Sequence, residues 1–203
     1  MHATDELPLF PLQTVLFPGG LLGLKVFEAR YLDLIAACLR ERSRFGIVSL
    51  LHGAEVHHAD KAVDFAPVGV EAEVIDADSA ETGILMVRCR GGRHFEVGRS
   101  RQQADKLWLA TTTLLPDDEP VAPPPALEPS ARALAGAIRS IEEQQAEAFL
   151  TPYRFDDAGW VANRWCEILP IPTPAKQKLM ALTDPLLRLE LVDEFLRKHK
   201  LVG

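Results

Sequence analysis

The chain has 203 residues, 47% hydrophobic and 25% charged, which is enough apolar material for one large domain or two small ones. A formal charge of −7 repels phosphate backbones and anionic membranes at long range, and so argues against a general nucleic-acid or membrane-surface binder. No run of about 18 uncharged apolar residues reads as a membrane span, and the start MHATDELPLF lacks the basic and apolar regions of a secretory signal.

In chain order, Pro8, Pro11 and Pro18 each lack a backbone donor, so any strand over residues 7–12 must be short, interrupted or at an edge. Gly19 and Gly20 allow a tight turn. From Glu28 to Arg40 the positions Tyr31, Leu34, Ile35, Cys38 and Leu39 follow helical spacing and predict one buried stripe. FGIVSL at 45–50 reads as a strand, HGAEVHHAD at 52–60 as a loop, and VGVEAEVI at 68–75 as a half-buried strand. Around Gly91 and Gly92 a hairpin is expected. A two-residue loop would set Arg88 opposite Phe95, mixing charge with core. A three-residue loop through Arg93 pairs Cys89 with Phe95 and Val87 with Val97 inside, leaving Arg88 with Glu96 and Arg90 with His94 outside, and binary pattern favours it. LWLATTTLL at 107–115 is a further strand.

Residues 116–130, PDDEPVAPPPALEPS, hold six prolines and four acids and read as a stiff, extended linker. Beyond it the period becomes 3.6. One helix is expected after Ser130, carrying Leu134, Ile138, Ile141 and Phe149, and another after an Asp156 or Asp157 cap, carrying Val161, Trp165 and Ile168. Thr173 with Pro174 and Asp184 with Pro185 read as caps followed by a first-turn proline. The last helix has two apolar rows, Leu187, Leu191, Phe195 and Leu189, Val192, Leu196, and is expected to be buried on a wide face at the centre of a second lobe. The fold class is therefore α+β, with a β lobe over 1–118 holding an inserted helix, a linker over 119–129 and a helical bundle over 130–203.

The stretch LPLFPLQTVLFPGGLLGLKVFEARY, residues 7–31, resembles the opening of the Lon protease amino-terminal domain family in its Leu-Pro-Leu-Phe-Pro-Leu strand, Val-Leu-Phe-Pro-Gly turn and Phe-Glu-x-Arg-Tyr helix start. RFGIVSL at 44–50, VGVEAEVIDAD at 68–78 and KQKLMALTDPLLRL at 176–189 agree in order. The resemblance implies a β pseudo-barrel of the kind likened to RNA-binding PUA domains, a helical bundle after it, and binding of protein substrates by a free-standing module.

Chemistry is sparse. No GxxxxGK[ST] loop, GxSxG elbow or HExxH helix appears, and no serine sits in a peptidase-like setting, so neither ATP hydrolysis nor peptide cleavage is expected. Cys38, Cys89 and Cys166 form no CxxC pair and sit in apolar patterns, which predicts buried, reduced thiols in a cytoplasmic protein. His52, Glu55, His57, His58 and Asp60 are dense in possible ligands, but a flexible loop does not hold three or four ligands rigidly, so no metal or other cofactor is expected. Three functions remain. The leading one is a groove for exposed apolar segments of client proteins, with a separate protease as a possible further partner. That groove would be a cleft where the bundle docks on the β lobe, bordered by Phe27, Glu28, Arg30 and Tyr31 and by the helices of Trp160 and Trp165. Residue by residue, the structural reading of Glu28, Arg30 and Tyr31 comes before the ligand-surface one, and both tryptophans read first as core or lobe-interface residues. The rival is RNA binding through the basic island Arg88, Arg90, Arg93, Arg99 and Arg101 with His94. The third is an enzyme of unknown type in the same cleft.

Overall fold

The computed structural model describes residues 6–52, 64–144 and 148–202, and for His52 and Ala80 the backbone alone. The chain divides into two compact units, Met1–Pro116 and Asp117–Gly203.

Alternating and β-branched sequence dominates the first unit, and it forms β1 (Glu6–Leu12), β2 (Leu21–Val26), β3 (Phe45–His52), β4 (Asp64–Phe65), β5 (Val68–Glu81), β6 (Ile84–Gln102) and β7 (Trp108–Leu114). One helix, α1 (Ala29–Glu41), interrupts them with Tyr31, Leu34, Ile35 and Cys38 buried as their spacing predicts, whereas Leu39, expected in the same stripe, is exposed. The strands are neighbours in the order β1-β7-β6-β5-β3-β4, β2 pairs with β6, and β1 pairs again with β3. The strands β1-β7-β6-β5-β3 thus run in a closed circuit. All pairings are antiparallel except β1 with β3.

β1 is a full member of the circuit despite its prolines. Its first half, Glu6–Leu9, pairs with β7 and its second half, Leu9–Leu12, with β3, so the two sets of partners overlap only at Leu9. Pro8 and Pro11 therefore each lie where the strand has a neighbour on one side, the condition under which a missing donor is tolerated. Inside the circuit Leu9, Val48, Phe95 and Ala110 are fully buried, with Phe65 and Trp108 packed edge to face at 5.4 Å beside them.

The hairpin expected at Gly91 and Gly92 does not exist. β6 runs through both glycines for 19 residues, and the turn from β5 lies at Thr82–Gly83, where Gly83 has φ 79°. Gly91 serves a close approach instead: a Cβ there would stand 2.1 Å from the carbonyl oxygen of Phe17. In that space Gly19 N donates to Gly91 O and Gly91 N donates to Gly20 O, both at 2.9 Å. Turns and close approaches both select glycine, so the residue alone did not separate them. The expected cross-pairs are replaced: Cys89 faces Val74 and Leu22, Phe95 faces Gly69 and Leu114, Arg88 faces Asp76 and Gly23, and Val97 faces Thr112. Val87, Cys89 and Phe95 do point inward, whereas Val97 is half-buried and His94, expected outside, is buried.

The second unit contains α2 (Glu128–Glu143), α3 (Ala158–Ile168), α4 (Thr173–Met180) and α5 (Pro185–Lys198). Its hub is α3, which packs on the other three helices and is buried from Ala158 to Cys166. That corrects the expectation for α5: Leu189, Val192 and Leu196 are buried, but Leu187 and Leu191 are 41% exposed. Asp157 caps α3 by accepting from Gly159 N and Trp160 N, and Asp184 caps α5 by accepting from Leu186 N and Leu187 N. Thr173 is the first residue of α4 rather than its cap, which is Pro172, and α2 starts at Glu128, two residues before Ser130.

Two fully buried arginines cross this unit. Arg188 donates to both oxygens of Asp118 (2.6 and 3.2 Å), to Asn163 Oδ1 (3.0 Å) and to the carbonyls of Leu179 and Leu182. Arg164 makes a bidentate pair with Glu167 at 2.8 and 2.6 Å. The proline-rich segment is anchored by the first arginine through Asp118, by Val121 O accepting from Ala158 N at 2.8 Å, and by the buried Leu127.

Candidate functional site

β2 is short, ends at Val26, and passes directly through Phe27 and Glu28 into α1. The connection leaves a groove of about 380 Å3 in the first unit, lined by Phe10, Leu12 and Thr14, by every residue from Leu22 to Glu28, and by Tyr31. Its walls are mostly apolar, and Phe27 is 54% exposed at its rim. Such an exposed aromatic beside an apolar concavity offers a ligand contact area at low entropic cost.

Behind the rim the side chains are packed and hydrogen-bonded to one another. Tyr31 stacks on Phe10 with ring centroids 3.8 Å apart and planes 7° from parallel. The Arg30 guanidinium lies 4.7 Å from the Tyr31 ring centroid, donates to Glu28 Oε2 at 2.6 Å, and donates to the carbonyl of Lys106 at 3.1 Å. Glu28 is the cap residue of α1 without using its side chain as a cap, because Arg30 holds the carboxylate. The motif Phe-Glu-x-Arg-Tyr thus builds one cluster, in which Phe27 is exposed and Arg30 and Tyr31 are buried supports.

The other sequence candidates lie elsewhere. Trp160 packs among Tyr153 and Phe155, and Trp165 Nε1 donates to Ser130 O at 3.0 Å; both are buried within the second unit, which supports their core alternative. The basic island loses its hairpin and is strung along one strand. Arg88 and Arg101 are 13 residues apart, up to about 40 Å in extended chain. Arg101 is held by Glu6 through two hydrogen bonds, Arg88 and Arg90 pair across from Asp76 and Glu73, Arg93 donates to Leu115 O, and Arg99 is exposed. Of the histidine-rich stretch His52, Glu55, His57, His58 and Asp60, only the His52 backbone lies within the described residues. Among the described residues no group of three histidine, cysteine or acidic side chains is placed to hold a metal ion, and no helix is long and apolar enough to cross a membrane.

Sequence reading found the Phe27–Tyr31 cluster but not the wall formed by Leu22 to Val26. The signal was present in LLGLKV, a six-residue run with a glycine and a lysine on alternate positions, which reads as one face apolar and one face open.

The sequence model described as the ATP-dependent protease La (LON) substrate-binding domain matches residues 6–198. The chain belongs to this Lon family. Among solved structures, a Lon N-terminal domain protein from Xanthomonas campestris is 32% identical, with 94% of this chain and 98% of that one covered and a TM-score of 0.76. The N-terminal domain of a Mycobacterium avium complex Lon protease is 15% identical over 96% of this chain and all of that one, with a TM-score of 0.64, a likeness of fold. No curated protein resembles the sequence closely enough to count as a match. The Lon assignment makes this chain a substrate-binding module, of mixed fold with a largely antiparallel sheet and, among the described residues, five helices.

Proposed function

We propose that this Lon-type module binds exposed apolar segments of client proteins in the groove beside β2, and that it does so in the cytoplasm without catalysing ATP hydrolysis or peptide cleavage. The observation that carries this reading is the half-exposed Phe27 at the rim of an apolar groove whose back wall is fixed by Phe10, Tyr31 and Arg30. Glu28 and Arg30 satisfy each other, so they orient the rim and leave contact with the client to apolar groups. The closed strand circuit supports counting the first unit among PUA-like pseudo-barrels, but the spread and pairing of the basic residues favour protein over RNA as the ligand.

The test is fluorescence anisotropy with a labelled, unstructured peptide rich in apolar residues. Phe27→Ala removes an exposed ring, so folding stability should change by less than about 0.5 kcal/mol, while affinity falls by at least about fivefold. Binding should vary little between low and high salt, unlike a phosphate-dominated contact. No binding, or binding that ignores Phe27→Ala and collapses with salt, refutes the reading.

A further inference from the structure

A groove lined by every consecutive residue of a strand has a particular geometry. Successive side chains of a strand point to opposite faces, so a pocket on one face meets only alternate residues. The groove beside β2 meets Leu22, Gly23, Leu24, Lys25 and Val26 in turn, which places it along the strand's edge. The pairing agrees: among the described residues β2 has β6 as its one partner, and its other edge lies unpaired.

The register tells which backbone groups face that edge. Gly91 N donates to Gly20 O, and β2 then runs antiparallel to β6 with Leu21 opposite Arg90 through to Val26 opposite Leu85. Hydrogen-bonded pairs alternate along an antiparallel ladder, so Leu22, Leu24 and Val26 bond to β6 while Leu21, Gly23 and Lys25 turn their N–H and C=O groups outward. Three donors and three acceptors are thus presented along about 14 Å of strand, beside a slot also lined by Phe10, Leu12 and Tyr31.

The geometry points to an extended client segment added to the sheet as a strand beside β2, its main chain bonded to Leu21, Gly23 and Lys25 and alternate apolar side chains seated in the groove. This rests on the proposed peptide-binding function and specifies how that binding works. A second copy of the chain fits less well, because its own β2 lies along an identical groove, and Lys25 on the free edge is the kind of residue that discourages strands from pairing with themselves. A lone extended peptide enters the slot.

The experiment uses a labelled ten-residue peptide of alternating valine and serine with lysines at its ends, and two versions in which alternate amides are replaced by esters. An ester removes the N–H donor without adding bulk. One ester set should weaken binding by at least about tenfold and the complementary set by less than about twofold, since a strand turns only alternate amides toward its neighbour. On the protein side, Gly23→Pro removes an outward donor and keeps the bonds to β6, whereas Gly23→Ala places a Cβ in open space and keeps the donor. The proline variant, checked by its melting curve, should lose at least about fivefold in affinity, and more than the alanine variant, which keeps the donor. Equal effects of the two ester sets overturn the added strand and leave the proposed function standing. A wild-type dimer that Gly23→Pro converts to monomer names a second copy as the occupant and also overturns it. Failure of the unmodified peptide to bind in any buffer refutes the function on which the inference rests.

Discussion

Cys89 and Cys166 are buried, and burial pushes both thiols up to about 12; Cys38 is raised for the same reason. Thiolate is the reactive form, so all three should be silent to a thiol reagent such as DTNB at pH 8 in the native protein and react fully on unfolding. Rapid labelling of any one in the native state would contradict their burial. Glu167 is raised by the same cause. Burial raises its carboxyl to about 7 from an ordinary 4.5, opposed by Arg164 and Lys176. Because the folded value lies above the unfolded one, the folded state holds more protons between about 4.5 and 7 than the unfolded state does. Its contribution to stability is then complete below about 4.5, declines as pH rises to about 7, and is flat beyond. Glu167→Gln resembles the protonated acid, so denaturation curves at pH 5 and pH 8 should show the wild type losing on the order of 1–3 kcal/mol relative to the variant. A constant difference between the two proteins would mean that Glu167 stays charged throughout.

At the scale of elements, β6 organises the first unit, because β2, β5 and β7 all pair with it. Its passage under the chain at Phe17 requires glycine: Gly91→Ala should cost about 3 kcal/mol or more, since the new methyl meets a backbone oxygen that cannot yield. Gly23→Ala, with nothing within 4 Å of its Cβ, should change stability by less than about 0.5 kcal/mol in the same urea titration. Comparable losses would show that Phe17 moves freely. These two glycines also mark what sequence makes legible. Faces were readable, as Val87, Cys89 and Phe95 show, because inward and outward positions differ in polarity. Partners were not, because the neighbours of β6 come from residues 21–26, 68–81 and 108–114, and no local pattern encodes distant register. The local pattern of LLGLKV marks one apolar and one open face, but that β2 has a single partner among the described residues depends on its distant pairing with β6. In the helical unit, caps at Asp157 and Asp184 were legible as local chemistry, whereas the hub role of α3 and the buried Arg164 and Arg188 depend on packing.

At the scale of the whole molecule, the two units divide between Pro116 and Asp117, and the proline-rich stretch belongs to the second by its contacts. Asp118 is the carboxylate partner of a fully buried arginine. Asp118→Ala in the complete chain should therefore destabilise the helical unit by about 3–5 kcal/mol, seen as early loss of helical circular dichroism, because it strands the charge of Arg188. A change below about 1 kcal/mol would make the stretch a mere spacer.

The closed circuit of strands has a consequence in time. β1 can meet β3 soon after it is made, but the pairing of Glu6–Leu9 with β7 joins segments about 100 residues apart in the chain. At a synthesis rate of roughly 5–20 residues per second, the first strand waits about 5–20 s on the ribosome before its final neighbour exists. For that interval half of β1 is an open edge on a nascent polypeptide. A module proposed to capture exposed apolar segments begins life displaying one.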